Sequence, residues 1–103
     1  MQTVENEFKN MKLSPEIILL RCEIDALDDK ILDLLNARAR LSEKISTLKA
    51  EAGSAQYSPE REAMIFERLS NHSQNVLSPE SVSRVFKAVV QECLARNLNL
   101  ARK

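Results

Sequence analysis

Arg38, Glu62 and Asn97 stand at positions where the surrounding pattern calls for an apolar residue. Arg38 interrupts a seam of alternating three and four spacing: Ile17, Leu20, Ile24, Leu27, Ile31, Leu34, Arg38, Leu41, Ile45, Leu48 and Ala52. The other positions are all apolar, as a helix-helix interface requires. A guanidinium in such an interface costs several kcal/mol, roughly, unless it is paired. Arg38 is therefore either an arginine that snorkels out or pairs structurally, or part of a binding site. Lys49 lies three helical turns further on, on nearly the same face and about 16 Å away; a solvent-facing lysine is its plain alternative. Arg21 precedes Arg38 by about 25 Å and is rotated from it by about 100°. The two cannot grip one small molecule within one helix, but Arg21 of an antiparallel second copy could join Arg38.

The stretch around Glu62 repeats the anomaly. The apolar face Ile65, Phe66, Leu69 extends backward by three and four residues onto Glu62, with Arg61 beside it. A dipole-favoured surface acid is the alternative there. Further on, the stripe Val82, Val85/Phe86, Val89/Val90, Cys93 arrives at Asn97, where fraying of the helix end would also account for an amide. Gathered together, these cations, one carboxylate and one amide fit a small di-anionic ligand that carries a hydroxyl. No nucleophile stands with a base, since Cys22 and Cys93 lack a histidine partner. His72 has no His or Cys neighbour at ligand spacing, so no metal site is expected. Any chemistry would rest on orientation and electrostatics. Asp25, Asp28, Asp29 and Asp33 face several directions and read as a solvated surface with local ion pairs.

The elements that must position these groups are written in the prolines. All three occur in the tripeptide Ser-Pro-Glu, at Ser14, Ser58 and Ser78. Each reads as a helix start, with Ser as N-cap, Pro at the first helical position and Glu at the positive end of the dipole. Helices are expected over about 15–52, 59–71 and 79–97, the first stopping at Gly53, the residue suited to a left-handed C′ position. Leu13 can staple onto Ile18 and Leu77 onto Val82, whereas the equivalent pair at the second helix is Tyr57 with Glu62. Residues 1–12 read as a loose, flexible tail and 13–103 as one domain. A 38-residue helix is about 57 Å long, against a diameter of roughly 33 Å for a compact chain of 103 residues. A homodimer with paired long helices is the expected answer.

Composition excludes several classes. A single Gly and three Pro, with 44% hydrophobic and 4% aromatic residues, rule out a many-turned β fold and a Gly-rich phosphate loop. Fifteen basic against fifteen acidic residues leave none of the basic excess that a nucleic-acid partner demands. No apolar run approaches the ~20 residues of a membrane span, and 1–12 lack a signal-peptide core. Two cysteines point to reduced thiols and a cytoplasmic location.

The run from Arg21 through Ile24-Asp-Ala-Leu-Asp28 to Arg38, then Lys49, then Pro59-Glu-Arg-Glu62, resembles the all-helical (AroQ-class) chorismate mutases over roughly residues 14–97. Within that family it is most similar to the mutase domains of bifunctional mutase-prephenate dehydratases. The resemblance implies an all-α fold, an intertwined homodimeric helical bundle of the chorismate mutase II type with three helices per chain. It also implies cofactor-free rearrangement of chorismate to prephenate in aromatic amino acid biosynthesis. In that scheme Arg38 and a second copy's Arg21 hold the two carboxylates, with Arg61 in support. Lys49 donates to the ether oxygen, and Glu62 accepts from the ring hydroxyl. Asn97 stands where the family usually has Gln or Glu reaching the ether oxygen. Cys93 stands where a Ser contact often lies, and Ser58 replaces a frequent Asp. Rival readings are an isochorismate-pyruvate lyase using a similar pocket, and a catalytically weak helical dimerisation or regulatory module.

Overall fold

The computed structural model describes residues 13–72 and 76–102. The 1–12 tail of the sequence reading lies outside them. Three helices follow in order: α1 (Pro15–Ala52), α2 (Pro59–His72) and α3 (Pro79–Ala101). Their starts are built alike. The hydroxyls of Ser14, Ser58 and Ser78 accept from the backbone N–H of Ile17 (3.3 Å), Arg61 (3.2 Å) and Ser81 (3.1 Å). The carbonyls of the same serines accept the first helical bonds, from Ile18, Glu62 and Val82. Each tripeptide thus satisfies orphan donors locally, which is why the three starts could be read without tertiary information.

At the other end of α1 the chain forms a Schellman turn. Gly53 N–H donates to the Ala50 carbonyl at 3.2 Å and Ser54 N–H to the Lys49 carbonyl at 2.8 Å. Gly53 has φ +69° with open space where a Cβ would stand. A side chain there would cost about 1–2 kcal/mol through backbone strain alone. α3 continues four residues beyond the expected end at 97. No Gly or Pro stops it, and Asn97 uses its side chain on another helix instead of competing for its own backbone.

The chain divides into two compact units between Ala37 and Arg38. In the first, Ile18 is buried, whereas the seam residues Leu20, Ile24, Leu27, Ile31 and Leu34 are each more than half exposed. Asp25 departs from the solvated reading: its Oδ2 is buried without a hydrogen-bond partner.

In the second unit, α2 and α3 pack directly on each other, and the part of α1 from Arg38 onward reaches α3 through side-chain hydrogen bonds. Arg38 meets Cys93, Ser42 meets Asn97 and Glu43 meets Arg96. The first two pairs share a separation of 55 residues, so the helices run in the same direction over this stretch. The Glu43–Arg96 ion pair, at 2.7 Å with both side chains nearly half exposed, adds at most about 1 kcal/mol. Among the described residues of this unit, Ile65, Cys93 and Asn97 are buried, and they border the opening between the helices.

Candidate functional site

A cavity of about 300 Å³ opens between the last turns of α1, the start of α2 and the second half of α3. Seven of the eight residues singled out in the sequence line it: Arg38, Lys49, Ser58, Arg61, Glu62, Cys93 and Asn97. Arg21 belongs to the other unit and is not among the lining residues. Leu41, Ile45, Ile65, Val90 and Leu94 supply apolar walls.

Arg38 projects from the seam of α1, and its Nη1 donates to Cys93 Sγ at 3.3 Å. A thiol is a weak acceptor, and a guanidinium has five N–H donors, so this contact orients Arg38 without neutralising it. Cys93 is buried and gives α3 a small side chain against which the guanidinium sits. Lys49 Nζ donates to the Gln56 carbonyl at 3.4 Å. Neither cation is neutralised by a carboxylate among the described residues. Three cations therefore face the cavity with Glu62 as the one carboxylate in its wall.

The chain after α1 is fastened back onto the helix it has just left. Ser46 Oγ donates to Gln56 Oε1 at 2.6 Å, and Gln56 Nε2 returns a bond to the Ser46 carbonyl at 3.2 Å. This clasp fixes the backbone that carries Tyr57 and Ser58 to the start of α2. The Schellman turn at Gly53 makes the reversal possible; Gln56 closes it.

Ser58 caps α2, and its hydroxyl also donates to Glu60 Oε2 at 3.4 Å. Its hydrogen bonds are thus used within the start of the helix. Glu62 is half-buried, and its carboxylate interacts with the Tyr57 hydroxyl. That hydrogen-bonding interaction is the main reason the phenol is held above its ordinary pKa, with desolvation and the negative charges of Glu62 and Glu60 adding to it. The N′–N4 pair that looked like a broken staple does meet, through a polar contact in place of an apolar one. Asn97, which fraying could have left in solvent, is only 8% exposed. Its Nδ2 donates to Ser42 Oγ at 3.0 Å and the Ser42 carbonyl at 3.4 Å, while its Oδ1 is buried without a partner.

Sequence reasoning passed over Ser42, Ser46, Gln56 and Tyr57 as parts of this cavity. A signal for the serines was present, because Arg38, Ser42, Ser46 and Lys49 fall within an arc of about 80° on a helix. That polar stripe runs beside the apolar seam. Nothing local marked Gln56, whose role exists only after the chain turns back.

Among the described residues the cavity thus combines three cations without a paired carboxylate, apolar walls and one acid, a charge balance suited to a small anion, and the comparisons agree with that chemistry. The family model for chorismate mutase type II matches residues 20–98. A bifunctional chorismate mutase/prephenate dehydratase from Neisseria gonorrhoeae is 43% identical over 75 residues, covering 73% of this chain and 20% of that protein. Its counterpart in Pseudomonas aeruginosa is 36% identical over 81 residues, covering 74% of this chain and 22% of that protein. The chain therefore spans about a fifth to a quarter of the length of these curated relatives. Among solved structures, chorismate mutase from Helicobacter pylori in complex with prephenate superposes with a TM-score of 0.81 at 32% identity, covering 87% of this chain and 98% of that one. Chorismate mutase from Thermus thermophilus (form II) gives 0.77 at 31% identity, covering 78% and 91%. With the family pattern spanning all three helices and every wall of the cavity, this chain belongs to the chorismate mutase type II family.

Proposed function

We infer that the cavity binds chorismate and rearranges it to prephenate. The observation that carries this reading is the charge pattern: Arg38, Lys49 and Arg61 face a mostly apolar cavity with Glu62 as the carboxylate among them. In this reading Arg38 and Arg61 take the substrate's carboxylates and Glu62 accepts from the ring hydroxyl. Lys49 donates to the ether oxygen. The reaction is unimolecular: one C–O bond breaks, one C–C bond forms and no proton leaves the protein. Catalysis then consists of holding the compact reactive conformer and stabilising charge on the departing oxygen.

The same reading assigns a second copy of the chain to the exposed seam, with Arg21 of that copy completing the grip on a carboxylate. Support comes from the seam itself, where Leu20, Leu27 and Leu34 are 58%, 55% and 70% exposed in the single chain. Apolar rows of this length mark an association surface. The test is conversion of chorismate to prephenate by the purified protein, with isochorismate offered in parallel. Arg38→Ala or Lys49→Ala is expected to lower kcat by about 10²–10³ while sedimentation and circular dichroism still report a helical dimer. Near-normal turnover in either variant removes that residue from the site, and salicylate with pyruvate from isochorismate reassigns the reaction.

A further inference from the structure

The amide that α3 contributes to the cavity wall, Asn97, is already engaged. Asn97 Nδ2 is committed to Ser42, giving one contact to its hydroxyl oxygen at 3.0 Å and a longer one to its carbonyl at 3.4 Å. The carbonyl can only accept, so it fixes which end of the amide faces α1. A reversed amide would set two oxygens against each other there. The other end, Oδ1, is buried without a protein donor, and it cannot donate to anything. Held this way, the Asn97 amide is turned toward α1, and both recorded contacts of its nitrogen go to Ser42.

Ser42 is in a different position. It lines the same cavity as Lys49 and Arg38, and its oxygen accepts the amide's proton. A serine hydroxyl has one proton to give besides its two lone pairs. Accepting from Asn97 leaves that proton available and polarises the O–H toward stronger donation. The ligand chemistry inferred for the cavity includes an ether oxygen that gains charge as its bond to carbon breaks, so a donor is of most use there.

We propose that Ser42 is a catalytic hydrogen-bond donor to the substrate's ether oxygen, on the same polar stripe of α1 as Lys49, and that Asn97 is a positioning residue acting through Ser42. The proposal rests on the chorismate reading of the site. The hydroxyl keeps its proton throughout; the hydrogen bond shortens as charge develops on the oxygen and relaxes once prephenate has formed. The shorter amide of this chain and the serine facing it then work as one unit, two side chains in place of one longer one.

The experiment is a double-mutant cycle on chorismate turnover. Wild-type conversion is measured first: if no prephenate forms, the reading of the site falls and takes this proposal with it. Given an active wild type, Ser42→Ala is expected to lower kcat by about a hundredfold, the lower end of what one preorganised donor supplies, with KM little changed. Ser42→Thr, which keeps the hydroxyl, is expected to retain most of the activity. Asn97→Ala should cost less than Ser42→Ala and add nothing to it in the double variant, because a positioning residue has nothing left to position. Alanine favours the helix, so circular dichroism should match wild type. A Ser42→Ala enzyme as fast as wild type overturns the proposal, as does a double variant whose loss is the product of the two single losses.

Discussion

The starts of α1 and α2 use one cap and two different staples. At α1 the residue at the fourth helical position is Ile18, among the most buried side chains of the chain at 4% exposure, and Leu13 before the cap is half-buried. At α2 the same two positions hold Tyr57 and Glu62, a polar pair set in the cavity wall. α3 follows the α1 type, with Val82 half-buried at the fourth position. The Ser-Pro-Glu cap solves a backbone problem common to all three helices. The staple position is free to differ, and at α2 an apolar contact has been exchanged for an acid that can reach a ligand.

The largest effect comes from making α2 resemble the other two. Glu62→Val restores the apolar staple type, so stability to denaturant should hold or rise. Loss of a hydrogen bond from a bound hydroxyl to a charged acceptor, worth about 1.5–3 kcal/mol, should lower kcat/KM roughly ten- to a hundredfold. The matching change at α3, Val82→Ala, should cost on the order of 1 kcal/mol of stability and leave kcat/KM alone. Chemical denaturation curves and steady-state kinetics on both variants check the pair. Equal kinetics for Glu62→Val and wild type would make the acid an ordinary capping variation.

A smaller effect tests the shared part. Ser58→Ala and Ser78→Ala each remove an N-cap, and each should cost about 1 kcal/mol. Only Ser58→Ala should also raise KM, because its hydroxyl holds the Arg61 backbone and the first turn that carries Glu62. Equal KM values for the two variants would mean that the Gln56 clasp alone positions the start of α2.

How much of this could be read from the chain follows from how local each signal is. Helix starts were legible because a cap involves only four consecutive residues. Arg38, Glu62 and Asn97 were legible because each breaks a periodic apolar face, a defect visible without knowing what lies opposite. The end of α3 was not, because Asn97 behaves as a helix terminator only when its side chain is unoccupied, and here Ser42 of α1 occupies it. Ser42 itself broke no pattern: a serine beside an apolar seam is ordinary until the α3 residue 55 positions away is set against it. Gln56 was invisible for the same reason, since its bonds to Ser46 exist only once Gly53 has reversed the chain.

The smallest effect reads the polar staple directly. Tyr57 is the one tyrosine in a chain without tryptophan, so tyrosinate absorbance reports it alone. Its hydrogen bond to Glu62, together with desolvation and the neighbouring negative charges, holds the phenol above its ordinary value of 10.0. The folded chain therefore keeps the phenolic proton more tightly than the unfolded chain does. Any stability this provides is present below the unfolded value and is lost as pH rises through the folded one. The native midpoint should lie above 10.0, and unfolding in denaturant should bring it down. Glu62→Val, which removes both the acceptor and one of the charges, should lower it most of the way in the folded state. Asn97→Ala, within the same cavity but outside this pair, should leave it in place. Coincident titration curves for native protein and Glu62→Val would show that Tyr57 and Glu62 do not meet in solution, and the start of α2 would then differ from those of α1 and α3 in side-chain type but not in having a staple of its own.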